Sequence, residues 1–155
     1  MTILIAFDGS ADARTAIEYA ARHLKPEPAV VLTVWEPLLT QIAWAPLAGV
    51  GAMPAVVDER GEQWAEEEQA QKIAEEGVRI AREAGLAEAT ARAERCSGAV
   101  WPAIVEAADD VDASLIVTGS RGLSGAKSVL LGSVSDRVLH HARRPMLIVP
   151  PTDDE

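Results

Sequence analysis

The chain has 155 residues, of which 48% are apolar, enough for one domain with a real core and too much apolar content for a disordered chain. Its formal net charge is −10 with no basic block, which argues against DNA or RNA as a partner because phosphate contacts dominate nucleic-acid affinity. A single cysteine, Cys96, excludes an intrachain disulfide and a multi-cysteine metal site; the expected setting is the reducing cytoplasm, with Cys96 as a small buried hydrophobe.

Met1-Thr2-Ile3-Leu4-Ile5-Ala6 has no basic region ahead of its apolar run, so it predicts a first strand rather than a signal peptide. Ile3 to Phe7 is continuously apolar and closes on Asp8-Gly9-Ser10, the pattern of a buried parallel strand followed by a turn. From Ala11 to Leu24, the residues Ala13, Ala16, Ile17, Ala20 and Leu24 share one helical face, with Ser10 as N-cap and Asp12 complementing the dipole. Val30 to Trp35 predicts a second strand. A long apolar loop follows at about residues 37–57. Its uncharged part, Ile42 to Val57, contains Pro46, Gly49, Gly51 and Pro54 and is shorter than the roughly 20 residues of a membrane span, so a surface loop around Trp44 is expected and no membrane association.

Asp58 to about Ala84 is a charged helical stretch. Trp64, Ile73, Val78, Ile80 and Ala84 form an imperfect inward stripe, and Glu62, Glu66, Glu67, Glu68, Glu75 and Glu76 lie in water. Gly85 stops it. Thr90 to Cys96 alternates small and charged residues, as in a strand near a sheet edge. Val100 to Asp109 is helical, with Ile104, Val105 and Ala108 inward. Leu115 to Thr118 is a strand running into Gly119. Val129 to His141 is helical, and Met146 to Val149 is the last strand before Pro150-Pro151 and an acidic tail. Five strands alternating with four helices specify an α/β fold, an open parallel sheet with helices on both faces. No repeat and no domain boundary interrupt it, so residues 1–155 are expected to form one domain.

Gly119-Ser120-Arg121-Gly122-Leu123-Ser124-Gly125-Ala126-Lys127-Ser128 continues to Gly132-Ser133-Val134-Ser135. It starts at the carboxyl end of a strand and ends at the start of the last helix, where open parallel sheets bind ligands. Glycines let backbone N–H groups surround an anion. A helix N-terminus adds positive potential, and Ser133, Ser135, Arg121 and Lys127 add donors. Ala126 before Lys127-Ser128 excludes the Walker pattern, and G-x-x-G excludes the dinucleotide pattern.

The spacing of Gly119, Gly122 and then Gly132-Ser133 resembles the ATP-binding signature of the universal stress protein family. Ile3 to Ser10, Leu115 to Gly122, Leu131 to Ala142 and Arg144 to Val149 resemble that family's first strand, fourth strand with loop, last helix and last strand; residues from Pro37 to about Gly85 carry little of the likeness. The resemblance implies a Rossmann-like sheet in the order 3-2-1-4-5 and an ATP-binding stress-response protein working as a nucleotide-dependent switch. It implies that Gly119, Gly122, Gly132 and Ser133 hold phosphates and ribose, with Thr118, Arg121, Val134 and Ser135 beside them. It further implies that Asp8 meets the ribose or the Mg2+ that accompanies ATP and that the backbone of Val34 pairs with adenine. It also implies a homodimer through Met146 to Val149.

Catalysis has less support. The sequence contains no H-E-x-x-H, C-x-x-C or G-x-S-x-G, which leaves slow ATP hydrolysis through loop electrostatics, or a ligand-independent interaction module, as the alternatives. His140 and His141 point about 100° apart on a helix and are expected to complement its dipole, as is His23. Asp8 has a second reading, as a turn residue that satisfies backbone donors.

Overall fold

The computed structural model describes residues 1–36, 59–120 and 133–151, with 59–64 as backbone. The described elements are β1 (Thr2–Ala6), α1 (Ala11–His23), β2 (Ala29–Trp35), α2 (Glu59–Ala84), β3 (Ala89–Arg95), α3 (Trp101–Asp110), β4 (Ala113–Gly119), α4 (Ser133–Ala142) and β5 (Met146–Val149). The strands form one sheet in the order β3-β2-β1-β4-β5, every neighbouring pair parallel. This is the expected order, with β3 at an edge as its charge alternation predicts. β3 begins one residue earlier than Thr90, and the expected loop at 37–57 lies outside the described residues.

Strand side chains alternate between faces, and each face is buried. Ile3, Ile5 and Phe7 pack with Ala13, Ala16, Ile17 and Ala20 of α1 and with Val78, Ile80 and Ala81 of α2. Leu4, Leu32 and Ile116 pack on the other face with Ile104, Ala107 and Ala108 of α3 and with Val138 and Ala142 of α4. The stripe that α2 buries differs from the expected one. Ala70, Ala74 and Ala81 lie at 2%, 0% and 0% exposure, with Val78 and Ile80 beside them, while Ile73 is only half-buried. Small residues let the helix lie close on the sheet. A Cβ built on Gly77 would stand 2.6 Å from Val31 Cγ1 and 2.7 Å from Phe7 Cδ1.

The chain moves from β1 outward to β2 and β3, then crosses to β4 on the other side of β1. The β1–β4 boundary is therefore the switch point, and its carboxyl edge is where a parallel sheet leaves a crevice. Among the described residues no helix is long and apolar enough to cross a membrane.

Candidate functional site

The β1–α1 turn is built by its own side chains. Gly9 sits at φ +84, a left-handed conformation that favours glycine. The Ser10 N–H donates to Asp8 Oδ1 at 2.9 Å, and the Ala13 N–H donates to Ser10 Oγ at 3.2 Å, so Ser10 is the N-cap of α1. Asp8 thus performs the turn role foreseen as its second reading.

Register brings three candidates to within one residue of the same height. β1 and β2 pair through Ala6 and Leu32, and the Phe7 N–H donates to the Leu32 carbonyl at 2.8 Å; two residues on, Asp8 stands level with Val34. β1 and β4 pair through Ile5 and Val117, which sets Gly119 level with Phe7. Gly119 also meets the first turn of α1, since a Cβ on it would lie 3.3 Å from the Asp12 backbone carbon and oxygen. The first turns of α1 and α4 both face this carboxyl edge, and two helix N-termini there favour an anion.

On the α4 side, Ser133 and Val134 are exposed, whereas Thr118 and Ser135 are buried at 4% and 5%. The Ser135 hydroxyl donates to the Gly119 carbonyl at 3.2 Å and lies 3.3 Å from Thr118 Oγ1. Arg121, Gly122 and Gly132 lie outside the described residues; Asp8, Val34, Thr118, Gly119, Ser133, Val134 and Ser135 all lie at the carboxyl edge of the sheet, and of these Thr118, Gly119 and Ser135 touch one another. Sequence reasoning missed Thr33. It is buried, and its hydroxyl donates to the Phe7 carbonyl at 2.8 Å. The available signal was a lone hydroxyl near the carboxyl end of an otherwise apolar strand.

A depression of about 460 Å³ opens beside the turn, between α1 and α2, with Phe7 and Ile80 deep in it and Arg14, Lys72 and Glu76 at its rim. Hydrogen bonding to Arg79 holds the exposed Glu76 carboxyl below its ordinary range. This depression lies on the α1–α2 side of Gly9, not over the β1–β4 boundary. Cys96 is buried at 6%, and burial pushes its thiol up; a protonated thiol is a poor nucleophile. His140 pairs with Asp136 at 3.3 Å, while His141 stacks on Trp101 with ring centroids 4.4 Å apart. The two histidines therefore serve separate contacts. Among the described residues no group of three or more His, Cys, Asp or Glu is placed to hold a metal.

Residues 1–150 match the model of the universal stress protein family. The chain is 32% identical over 148 residues to universal stress protein YxiE of Bacillus subtilis, covering 95% of this chain and 97% of that protein. Its fold superposes on protein MJ0577 with a TM-score of 0.73 at 22% identity, over 99% of this chain and 97% of the other. It superposes on a universal stress protein in complex with cAMP with a TM-score of 0.64 at 26% identity, over 97% and 96%.

Proposed function

The chain belongs to the universal stress protein family, and we propose that within it this protein binds an adenine nucleotide, ATP with Mg2+, as a nucleotide-dependent switch in the stress response. The observation that carries this reading is that Asp8 and Gly119 flank the switch point with Val34 beside them on β2, and that the first turns of α1 and α4 face the same edge. The spacing of Gly119, Gly122 and Gly132-Ser133 supports it, as does the cAMP held by a relative of the same fold. In this reading the Val34 backbone meets the adenine edge and Asp8 the ribose or the metal. Gly119, Arg121, Gly122, Gly132, Ser133 and Val134 surround the phosphates, and Thr118 and Ser135 lie at the base of the site.

Asp8 supplies one carboxylate, which suits a Mg2+ ion brought in on phosphate oxygens rather than a site made by protein alone. The metal would neutralise phosphate charge in an acidic chain. Binding and release, rather than turnover, is the proposed activity. β5 ends the sheet, and we assign its free edge to a second copy of the chain.

The test is direct. Purified protein is denatured and the released small molecules are identified by mass spectrometry, and binding of Mg-ATP is followed by calorimetry. The expected result is a released adenine nucleotide, saturable binding, and loss of binding in Gly132→Val, where bulk replaces close backbone approach. No released nucleotide together with no heat on adding Mg-ATP overturns the reading. Unchanged binding by Gly132→Val overturns the loop assignment.

A further inference from the structure

The buried polar side chains among the described residues are Thr33, Thr118 and Ser135, and all of them lie at the carboxyl edge: near the end of β2, near the end of β4 and in the first turn of α4. A buried hydroxyl is costly in apolar surroundings unless it is hydrogen-bonded, so their confinement to one edge needs a cause at that edge. Two of them donate to a backbone carbonyl at that edge. Thr33 donates to the carbonyl of Phe7, the residue before Asp8. Ser135 donates to the carbonyl of Gly119. A serine hydroxyl has one proton, so with that proton on Gly119 the 3.3 Å contact between Thr118 and Ser135 is donated by Thr118.

We infer that Thr118 and Ser135 are positioning residues: a two-hydroxyl clamp, Thr118 to Ser135 to the Gly119 carbonyl, that fixes the first turn of α4 against the end of β4. The clamp holds the exposed Ser133 and the neighbouring backbone at a set height over the end of β4. Its role toward a ligand rests on the nucleotide reading above. It gives Ser135 a different task from Ser133: Ser135 acts through the placement of α4, its proton already committed to Gly119, while Ser133 keeps a hydroxyl free for phosphate. Thr33 does the corresponding work between β1 and β2, setting Asp8 against Val34.

Ser135→Ala, Ser135→Thr and Thr118→Val test this in the full chain with two independent readouts. One is hydrogen–deuterium exchange of amides 137–139, the first amides bonded within α4; the other is calorimetric affinity for Mg-ATP, with AMP as a second probe. Ser135→Ala and Thr118→Val should speed exchange at those amides by about three- to tenfold, the worth of one hydrogen bond, with little change elsewhere, and should weaken nucleotide binding by a similar factor. Ser135→Thr, which keeps the hydroxyl, should restore both. Weaker binding with unchanged exchange makes the Ser135 hydroxyl a direct ligand and overturns the clamp, as does unchanged exchange with unchanged binding. If the parent protein takes up neither nucleotide, the nucleotide reading falls, and the exchange arm alone still decides whether the hydroxyls hold α4 on β4.

Discussion

Gly77 shows how a single missing methyl group sets a helix–sheet distance. In a helix interior alanine is favoured over glycine by about 1 kcal/mol, so an exposed position would gain from the change. At Gly77 the added Cβ would meet Val31 and Phe7 inside 3 Å, and both neighbours are buried, at 0% and 4%. Forcing a methyl group into such a contact costs about 1–3 kcal/mol. Gly77→Ala is therefore expected to destabilise by about 1 kcal/mol net, read as a lower midpoint in urea denaturation at an unchanged slope; a raised midpoint would show that α2 does not lie tight on the sheet. At this scale the sequence was informative wherever a side chain works on its own neighbourhood. Asp8, Gly9 and Ser10 were legible as a turn and cap because their partners lie two or three residues away. Thr33 was not, because its acceptor lies 26 residues away and a threonine in a strand is ordinary until its surroundings are known to be apolar.

The connections at the amino edge of the sheet turn through residues of positive φ. Asp112 (φ 49) follows α3 and Arg143 (φ 53) follows α4. Both are helix-ending positions where glycine is the usual occupant. Asp112 tolerates this conformation better than most residues and is also tied down. Arg144 reaches across to Asp109 at 2.9 Å, to Asp112 at 3.4 Å and to the Ala113 carbonyl at 2.6 Å, joining the two connections. Arg143 is exposed and supplies none of these contacts. Left-handed backbone costs a non-glycine residue about 1–2 kcal/mol, and glycine loses about 0.5–1 kcal/mol more conformational entropy on folding. Arg143→Gly should therefore raise stability by about 0.5–1 kcal/mol, whereas Asp112→Gly should show no gain because it also removes an ion-pair partner; a thermal or urea melt of each variant checks the pair. Elements made of large apolar runs, β1, β2, β4 and β5, were legible directly. α2 is legible as a helix, and Val78 and Ile80 of its expected stripe are buried, but Ala70, Ala74, Gly77 and Ala81 are not legible as buried because they carry little hydrophobic weight and are buried for their size.

The alternation of strands and helices specifies a parallel sheet covered on both faces, but not the order of its strands, which depends on pairings between residues far apart in the chain. For that the family likeness was needed, and β3-β2-β1-β4-β5 bears it out. The order creates two edges with different chemistry. β3 is protected by charge: Arg92 pairs with Glu94 and with Asp110, each at 2.6 Å, and Arg95 is exposed beside them, the usual defence of an edge against unwanted pairing. β5 carries no charge at all, only Met146, Leu147, Ile148 and Val149. Leu147 packs against one core and Met146 against the other. Ile148 is half-buried and, among the described residues, belongs to neither cluster, which makes it the position to test. An uncharged apolar edge of this kind is open to pairing with another chain, and in the proposed dimer a second copy of β5 would cover it symmetrically, as in most soluble homo-oligomers. The expected outcome in sedimentation velocity is a dimer for the parent chain and a monomer for Ile148→Lys, with a melting temperature that rises with protein concentration in the parent and not in the variant. A parent chain that sediments as a monomer, or an Ile148→Lys variant that stays dimeric, removes β5 as the contact.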